Sequence, residues 1–323
     1  MAFKVLITGG AGFIGSNICE QLLKMGDISL VRVIDNLETG FRSNIESLMP
    51  DRRFEFVEDD IRDFDACRRT VEGIDIVMHQ AALGSVPRSV QNPIRTNDFN
   101  INGTLNIFFA AKEARVKKMV FASSSSTYGS NTDLPKLEGQ IGDPLSPYAV
   151  TKLVSELYAK VFASLYDFRF IGFRYFNVFG PRQSPSGQYA AVIPIFFKEM
   201  MLGRSPVING NGEQSRDFTY IRNVVDANIG TIFNDNPESW NNIYNIACGY
   251  KTSLTGLYHA IAELVGFKGE PVYGPERTGD IRDSLADISK AVRLLNYQPR
   301  YSIREGLEQA YAWYQVNRGF LEA

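Results

Sequence analysis

The chain has 323 residues, 44 % of them hydrophobic and 22 % charged, with a formal net charge of −2. That length predicts one large α/β domain or two coupled lobes around a sizeable core. A near-neutral balance without any basic run gives no reason to expect nucleic acid or an anionic membrane as a partner. The three cysteines, Cys19, Cys67 and Cys248, lie far apart with no CxxC, which favours a reducing compartment and no disulfide framework. Only His79 and His259 are histidines and no cluster of ligands is visible, so no metal is expected. No stretch approaches the ~20 apolar residues of a membrane span, and the opening residues read as a strand rather than a cleavable signal. The expected location is cytoplasmic.

Val5-Leu6-Ile7 is a short apolar run suited to a buried strand. Gly9, Gly12 and Gly15 follow at three-residue spacing, and Phe13 to Leu23 carries helical periodicity. A strand, a tight glycine turn and a helix bring the backbone against a pyrophosphate at the helix N-terminus, with Phe13 and Ile14 inside that turn. A second strand, Leu30 to Ile34, closes on Asp35, twenty residues beyond Gly15. A carboxylate there accepts from both adenine-ribose hydroxyls and repels a 2′-phosphate, so the expected cofactor is NAD rather than NADP.

Further strand-like runs are Phe54–Val57, Ile74–Met78, Met119–Ala122 and Phe170–Arg174, with amphipathic stretches around 63–72, 100–115 and 147–166 between them. Alternating βα units imply a doubly wound parallel sheet of Rossmann type. From about 180 the texture changes, with Pro181, Ser184, Pro185, Ser186 and Gly187 forming a loop and scattered Gly and Pro punctuating shorter elements. The expected division is a cofactor-binding domain over 1–180 and a smaller, mainly substrate-binding lobe over 181–323, with possible strand contributions from the latter to the main sheet.

Ser146-Pro147-Tyr148 places an N-cap, a first-turn proline and then a tyrosine at the start of a helix. Tyr148 and Lys152 are four apart and share a helical face. An ammonium near the phenol, together with a nicotinamide cation, would draw the Tyr148 pKa from ~10 towards neutrality and make it a usable base. Upstream, Ser123-Ser124-Ser125-Ser126 stands just past a buried strand, where ligands bind in open α/β sheets. A hydroxyl there can bond a substrate oxygen and share the proton that Tyr148 handles.

These features, with Arg174-Tyr175-Phe176-Asn177-Val178-Phe179-Gly180, resemble the extended short-chain dehydrogenase/reductase family and, within it, the UDP-hexose 4-epimerases. The resemblance covers nearly the whole chain. It implies that Asn36, Asp60 and Ile61 lie about the adenosine, that Ala81 and Ala82 lie beneath the cofactor, and that Asn100 supports the site. It also brings Ser123, Tyr175 and Val178 to the cofactor beside Tyr148 and Lys152. His79 is expected to be a packed strand-end residue without a catalytic role.

On the substrate side the resemblance assigns Asn177, Arg216, Arg277 and Asp280 to the nucleotide and its diphosphate, where two arginines suit bidentate charge-assisted bonds. Ser85, Val86, Arg88, Ala191 and Val192 belong to segments that resemble a bacterial subgroup selective for N-acetylated UDP-hexoses, as does the four-serine run. Ser284 resembles the residue that gates space beside the sugar C2 substituent, a small side chain leaving room for an acetamido group. The expected activity is 4-epimerisation of UDP-GlcNAc and UDP-GalNAc through a 4-keto sugar. Tyr148 serves as base there, with Ser124 and its neighbours Ser125 and Ser126 orienting the C4 oxygen. The alternatives are a 4-epimerase of UDP-N-acetylhexosaminuronic acids, with Arg88 or another basic group meeting the carboxylate, and a non-catalytic NAD-binding regulator. A 4,6-dehydratase lacks its usual Asp-Glu pair in the serine segment. A homodimer is implied by the resemblance, through the helices around 95–115 and 147–166.

Overall fold

The computed structural model describes residues 2–185, 191–276 and 282–322. Its centre is a seven-stranded, all-parallel sheet built from β1 (Phe3–Thr8), β2 (Ile28–Ile34), β3 (Phe54–Val57), β4 (Ile76–His79), β5 (Lys118–Ser124), β6 (Phe170–Tyr175) and β7 (Asn242–Ile246). The spatial order is β7-β6-β5-β4-β1-β2-β3. Strand order reverses between β1 and β4, and in such sheets the crevice beyond the strands' carboxyl ends at that point takes the ligand.

Helices cover both faces, so the strands are apolar on both faces. In β1, Val5 and Ile7 join one core with Ile18, Phe173, Phe196 and Tyr314, while Leu6 joins the opposite one with Phe108, Phe121, Phe162 and Phe170. The first core runs without a break from residues before 180 to residues after it. β7, from the second half of the chain, completes the sheet beside β6.

The helices that position the site are α1 (Phe13–Leu23), α2 (Phe64–Val71), α3 (Gly103–Glu113), α4 (Pro147–Leu165), α5 (Val192–Met201), α6 (Ile221–Gly230), α7 (Leu254–Val265) and α8 (Ile303–Val316). α4 begins as its sequence predicts: the Ser146 hydroxyl accepts from Ala149 N at 3.1 Å, and Pro147 occupies the first turn. β4 starts two residues later than its apolar run. Asp75, just before it, still bonds to both neighbouring strands, donating from N to Lys4 O at 2.9 Å and accepting at O from Lys117 N at 3.0 Å. Its carboxylate accepts from Lys4 N at 3.0 Å and from Lys117 Nζ at 2.7 Å. The helical stretch from about 100 opens as a π-turn, Asp98–Asn102, before α3 proper.

A buried ion pair joins α4 to the sheet. Arg174 on β6 donates from Nη2 and Nε to the two carboxylate oxygens of Glu156, at 2.7 and 2.9 Å. Both side chains are at most 3 % exposed. Ser123 Oγ donates to the same carboxylate. Glu156→Leu leaves the Arg174 guanidinium buried without its counter-charge, and removing one partner of such a pair typically costs about 3–5 kcal/mol. Urea unfolding midpoints of wild type and variant measure this. A loss under about 1 kcal/mol would show that the pair does not hold the helix.

Candidate active site

A cavity of about 680 Å³ opens along the carboxyl ends of β1, β2 and β4. Its walls include Gly9, Gly12, Phe13, Ile14, Gly15, Asp35, Asn36, Asp60, Ile61, Ala81, Ala82, Ser85 and Arg88. The glycines are required by close approach. Gly9 has φ +69°, and a Cβ on Gly15 would stand 2.2 Å from Gly9 O. Asp35 is 8 % exposed, its two oxygens accepting from Ala11 N at 2.9 Å and Leu37 N at 2.8 Å. Burial pushes its carboxyl up, and these backbone donors oppose the rise. Asn36 Nδ2 donates to Asp60 Oδ2 at 2.7 Å, tying the ends of β2 and β3 together. A glycine turn at a helix N-terminus, facing a carboxylate at the end of the next strand, fits a dinucleotide with a free 2′-hydroxyl.

Sequence reasoning did not single out Glu38, Thr39, Gly40 or Phe99, which also line this cavity. The Arg62 guanidinium stacks on Phe99 with its carbon 3.8 Å from the ring centroid. Only the loop's folded path brings residues 38–40 to the rim, so no sequence period marks them.

The side chains expected to be reactive stand at the carboxyl end of β5. Tyr148, in the first turn of α4, stands close enough to Ser124 for that hydroxyl to lower the pKa of its phenol. Ser126 N and Oγ both donate to Ser124 Oγ, at 3.1 and 3.0 Å, which orients that hydroxyl, and Ser125 starts the 3-10 turn between them. Lys152 is buried one helical turn beyond Tyr148 and donates from Nζ to Ala122 O at 2.8 Å. Its Nζ lies 5.9 Å from the Tyr148 ring centroid. Burial pushes the Lys152 ammonium down to about 8, against the opposing charge of Glu156.

Burial also pushes the Tyr148 phenol up, and the nearby Ser124 hydroxyl only partly offsets it. The side chains alone therefore hold Tyr148 protonated. The pull towards neutrality expected from Lys152 together with a nicotinamide cation has to come chiefly from the cation.

Several expected site residues spend their side chains on positioning. Asn100 Oδ1 accepts from Leu83 N at 2.7 Å, and its Nδ2 donates to Leu83 O at 3.2 Å and Thr151 Oγ1 at 3.1 Å. It thus joins the cofactor-cavity loop to the residue before Lys152. Ser123 is committed to Glu156, and the Tyr175 hydroxyl lies in the core, bonded to Gln80 and Asn228. His79 is buried with both ring nitrogens bonded, to Thr8 Oγ1 at 2.7 Å and Thr104 Oγ1 at 2.9 Å. Burial, with Lys152 nearby, pushes its imidazole down to about 3 and keeps it neutral.

A second cavity, about 210 Å³, is lined by Asn177, Val178, Ala191, Val192, Arg216, Phe218 and Leu254, among others. It shares Gln183 and Ala191 with the first. Ser284 lies outside both linings. Its N donates to Ser215 O at 3.1 Å, which sets it beside the strand that carries Arg216. Val86 is exposed, in the short helix Val86–Gln91 that follows Ser85. Arg277 and Asp280 lie outside the described residues. Tyr148, Lys152 and Ser123–Ser126 line neither cavity; they sit one strand over from β4, whose continuation Gln80–Ser85 lines the larger one.

Residues 5–247 match the NAD dependent epimerase/dehydratase family. The chain belongs to that family. It is an epimerase enzyme with NAD as its cofactor. A UDP-glucose 4-epimerase of Mycolicibacterium smegmatis is 36 % identical over 97 % of this chain and 98 % of its own length. Among solved structures, a UDP-N-acetylglucosamine 4-epimerase from Methanobrevibacter ruminantium M1, in complex with UDP-N-acetylmuramic acid, is 38 % identical. It covers 98 % of this chain and 99 % of its own, with a TM-score of 0.92. A UDP-glucuronic acid 4-epimerase from Bacillus cereus, bound to UDP-glucuronic acid and NAD, is 31 % identical. It covers 97 % and 99 %, with a TM-score of 0.89.

The lowered Lys152 pKa has a stability consequence. Between about 8 and the ordinary lysine value of 10.5, the unfolded chain holds a proton at this position that the folded chain has released. Stability therefore rises with pH across that window, and below it the buried ammonium costs stability. Lys152→Met removes this contribution. Melting temperatures of NAD-stripped protein from pH 7 to 10.5 should climb less steeply for the variant than for wild type, while the variant loses turnover. Parallel curves would show that Lys152 titrates normally.

Proposed function

We propose that this family member is a 4-epimerase of UDP-N-acetylhexosamines, interconverting UDP-GlcNAc and UDP-GalNAc. The observation that carries the reading is Tyr148 beside Ser124, with buried Lys152 one helical turn on, joined through Asn100 to the wall of the dinucleotide cavity. NAD, when bound, supplies a reversible hydride acceptor for C4. The chain does the rest. Tyr148 takes the C4 hydroxyl proton and returns it, Ser124 holds the C4 oxygen, and Arg216 with Asn177 anchors the diphosphate end. The 4-keto sugar can then turn about that anchor before reduction on the opposite face.

The intact Tyr148–Ser124 pair argues against a non-catalytic NAD-binding regulator. The N-acetylated substrate is supported by the small Ser284 beside the Arg216 strand and by the relative from Methanobrevibacter ruminantium M1. A uronic acid form of the same sugar is the second reading, because Arg88 lines the dinucleotide cavity and the Bacillus cereus relative carries UDP-glucuronic acid. Assaying UDP-N-acetylglucosaminuronic acid beside UDP-GlcNAc separates the two.

The chain division at about 180, a cytoplasmic location and a homodimer complete the proposal. Among the described residues no helix is long and apolar enough to cross a membrane. The outer face of α4 leaves Val150, Leu157 and Val161 exposed at helical spacing, a stripe suited to a second copy of the chain. Sedimentation of the pure chain as a monomer would remove the dimer reading.

Purified protein should interconvert UDP-GlcNAc and UDP-GalNAc without added NAD. Tyr148→Phe should lower kcat by ~10²–10⁴-fold with NAD content unchanged. A variant keeping more than about a tenth of the activity would exclude Tyr148 as the base.

Ser284→Tyr tests the substrate. An acetamido group adds bulk that a tyrosine ring would displace, and overpacking a tight site costs ~1–3 kcal/mol. The ratio of kcat/KM for UDP-GalNAc over UDP-galactose should therefore fall by roughly 5- to 150-fold. An unchanged ratio with both activities retained would dismiss Ser284 as the gate.

A further inference from the structure

The loop that follows β2 folds over the glycine turn and over Asp35. Leu37 N donates to the Asp35 carboxylate at 2.8 Å, and Phe41 N and Asn44 Nδ2 both donate to Ala11 O, at 3.0 and 2.9 Å. Residues 38–41 of this loop belong to the wall of the larger cavity. Two ion pairs hold its outer side, Glu38 with Arg95 and Arg42 with Glu58, and all four side chains are solvent-exposed. Such pairs contribute little and are screened by salt. An aromatic contact holds the loop as well. The ring of Phe41 meets that of Phe320, with centroids 5.9 Å apart and planes at 69°. Phe41 is otherwise a surface residue, 42 % exposed.

Phe320 comes from the helical turn Gly319–Glu322, beyond α8, and that turn is firmly placed. Phe320 packs edge-on against Trp313 of α8, with centroids 5.0 Å apart, and its N donates to Asn317 O at 2.9 Å. Asn317 Nδ2 in turn donates to Trp313 O at 2.8 Å. Leu321 is 2 % exposed and enters the core that also contains Ile45 and Leu48, just past the loop. α8 is itself anchored, its Tyr314 Oη donating to Gln183 O at 2.7 Å. A fixed ring thus bears on a side chain of the cavity wall. An edge-to-face pair stabilises beyond its buried area, and a dinucleotide covered by a loop leaves only when that loop opens. We infer that Phe320 is a positioning residue for NAD: through Phe41 it holds the 36–44 loop closed on the dinucleotide and slows its release. The inference rests on NAD as the cofactor and not on which sugar is turned over.

Exchange of labelled NAD from the holoenzyme into excess unlabelled NAD reads this hold directly, with melting temperatures of the NAD-stripped proteins taken in parallel. Phe320→Ala should speed exchange roughly 3- to 10-fold, the range of one aromatic pair. Phe320→Tyr keeps the ring and should exchange at the wild-type rate. In a Phe41→Ala background the Phe320→Ala change should add nothing, because the contact that it removes is already gone.

Wild-type exchange by Phe320→Ala overturns the inference, and a lowered melting temperature beside it would assign Phe320 to packing alone. A Tyr variant as fast as Ala overturns it too, as does an equal further gain in the Phe41→Ala background. Should Phe320→Ala not fold, Phe320→Leu keeps apolar bulk against Trp313 and removes the ring, and it should still speed exchange. A Leu variant that exchanges like wild type, or failure of both variants to fold, overturns the inference.

Discussion

One carboxylate sets the geometry of the reactive side chains. Glu156 lies on α4, the helix that carries Tyr148 and Lys152, and it accepts from Ser123 on β5 and from Arg174 on β6. Ser123 immediately precedes Ser124. The register of the helix against the strand end, and so the reach from Tyr148 to Ser124, is thus fixed by bonds made away from the reacting atoms. An apolar contact of the same area would hold the helix down but would not choose its rotation. The same charge also sits near Lys152 and opposes the desolvation that lowers its pKa.

A second buried carboxylate organises the wall of the smaller cavity. Asp217 has no exposed surface and accepts from Cys248 N at 2.9 Å, Gly249 N at 3.0 Å and Ala286 N at 3.3 Å. It therefore joins three segments: its own, with Arg216 and Phe218 on either side in the cavity wall, the chain leaving β7, and the stretch just after Ser284. Burial pushes its carboxyl up to about 6, and the three donors limit the rise. Together, Glu156 and Asp217 tie the helix that carries Tyr148 and the wall of the smaller cavity to one sheet.

Legibility from sequence followed how local the physical demand was. Gly9, Gly15 and Asp35 were readable because a backbone turn and a strand end impose residue types at set spacing. Ser146 and Pro147 were readable because a helix start has its own chemistry. Six of the seven parallel strands followed from apolar runs, with β4 starting two residues late; β7 was foreseen only as a possible strand contribution from the second half. The direction of side chains was less readable. Ser123 and Ser124 are neighbours of one type, yet strand alternation sends the first to Glu156 and leaves the second for Tyr148. Gln183 was invisible for a different reason. It sits in a loop without a period, and its place depends on contacts with α1 and α8 that are distant in sequence.

The site's electrostatics divide the work by desolvation. His79, Tyr148 and Lys152 are all driven towards their neutral forms by burial. His79 is neutral with both nitrogens satisfied, so it can neither compete for a proton nor move. Tyr148 and Lys152 differ because each keeps one compensating neighbour, Ser124 and Glu156 respectively. A raised phenol beside a lowered ammonium is a poor base at rest and becomes a usable one when positive charge arrives next to it. In the proposed reaction, loss of the C4 hydroxyl proton to Tyr148 would thus be tied to the presence of oxidised NAD, which would supply the acceptor for the C4 hydride.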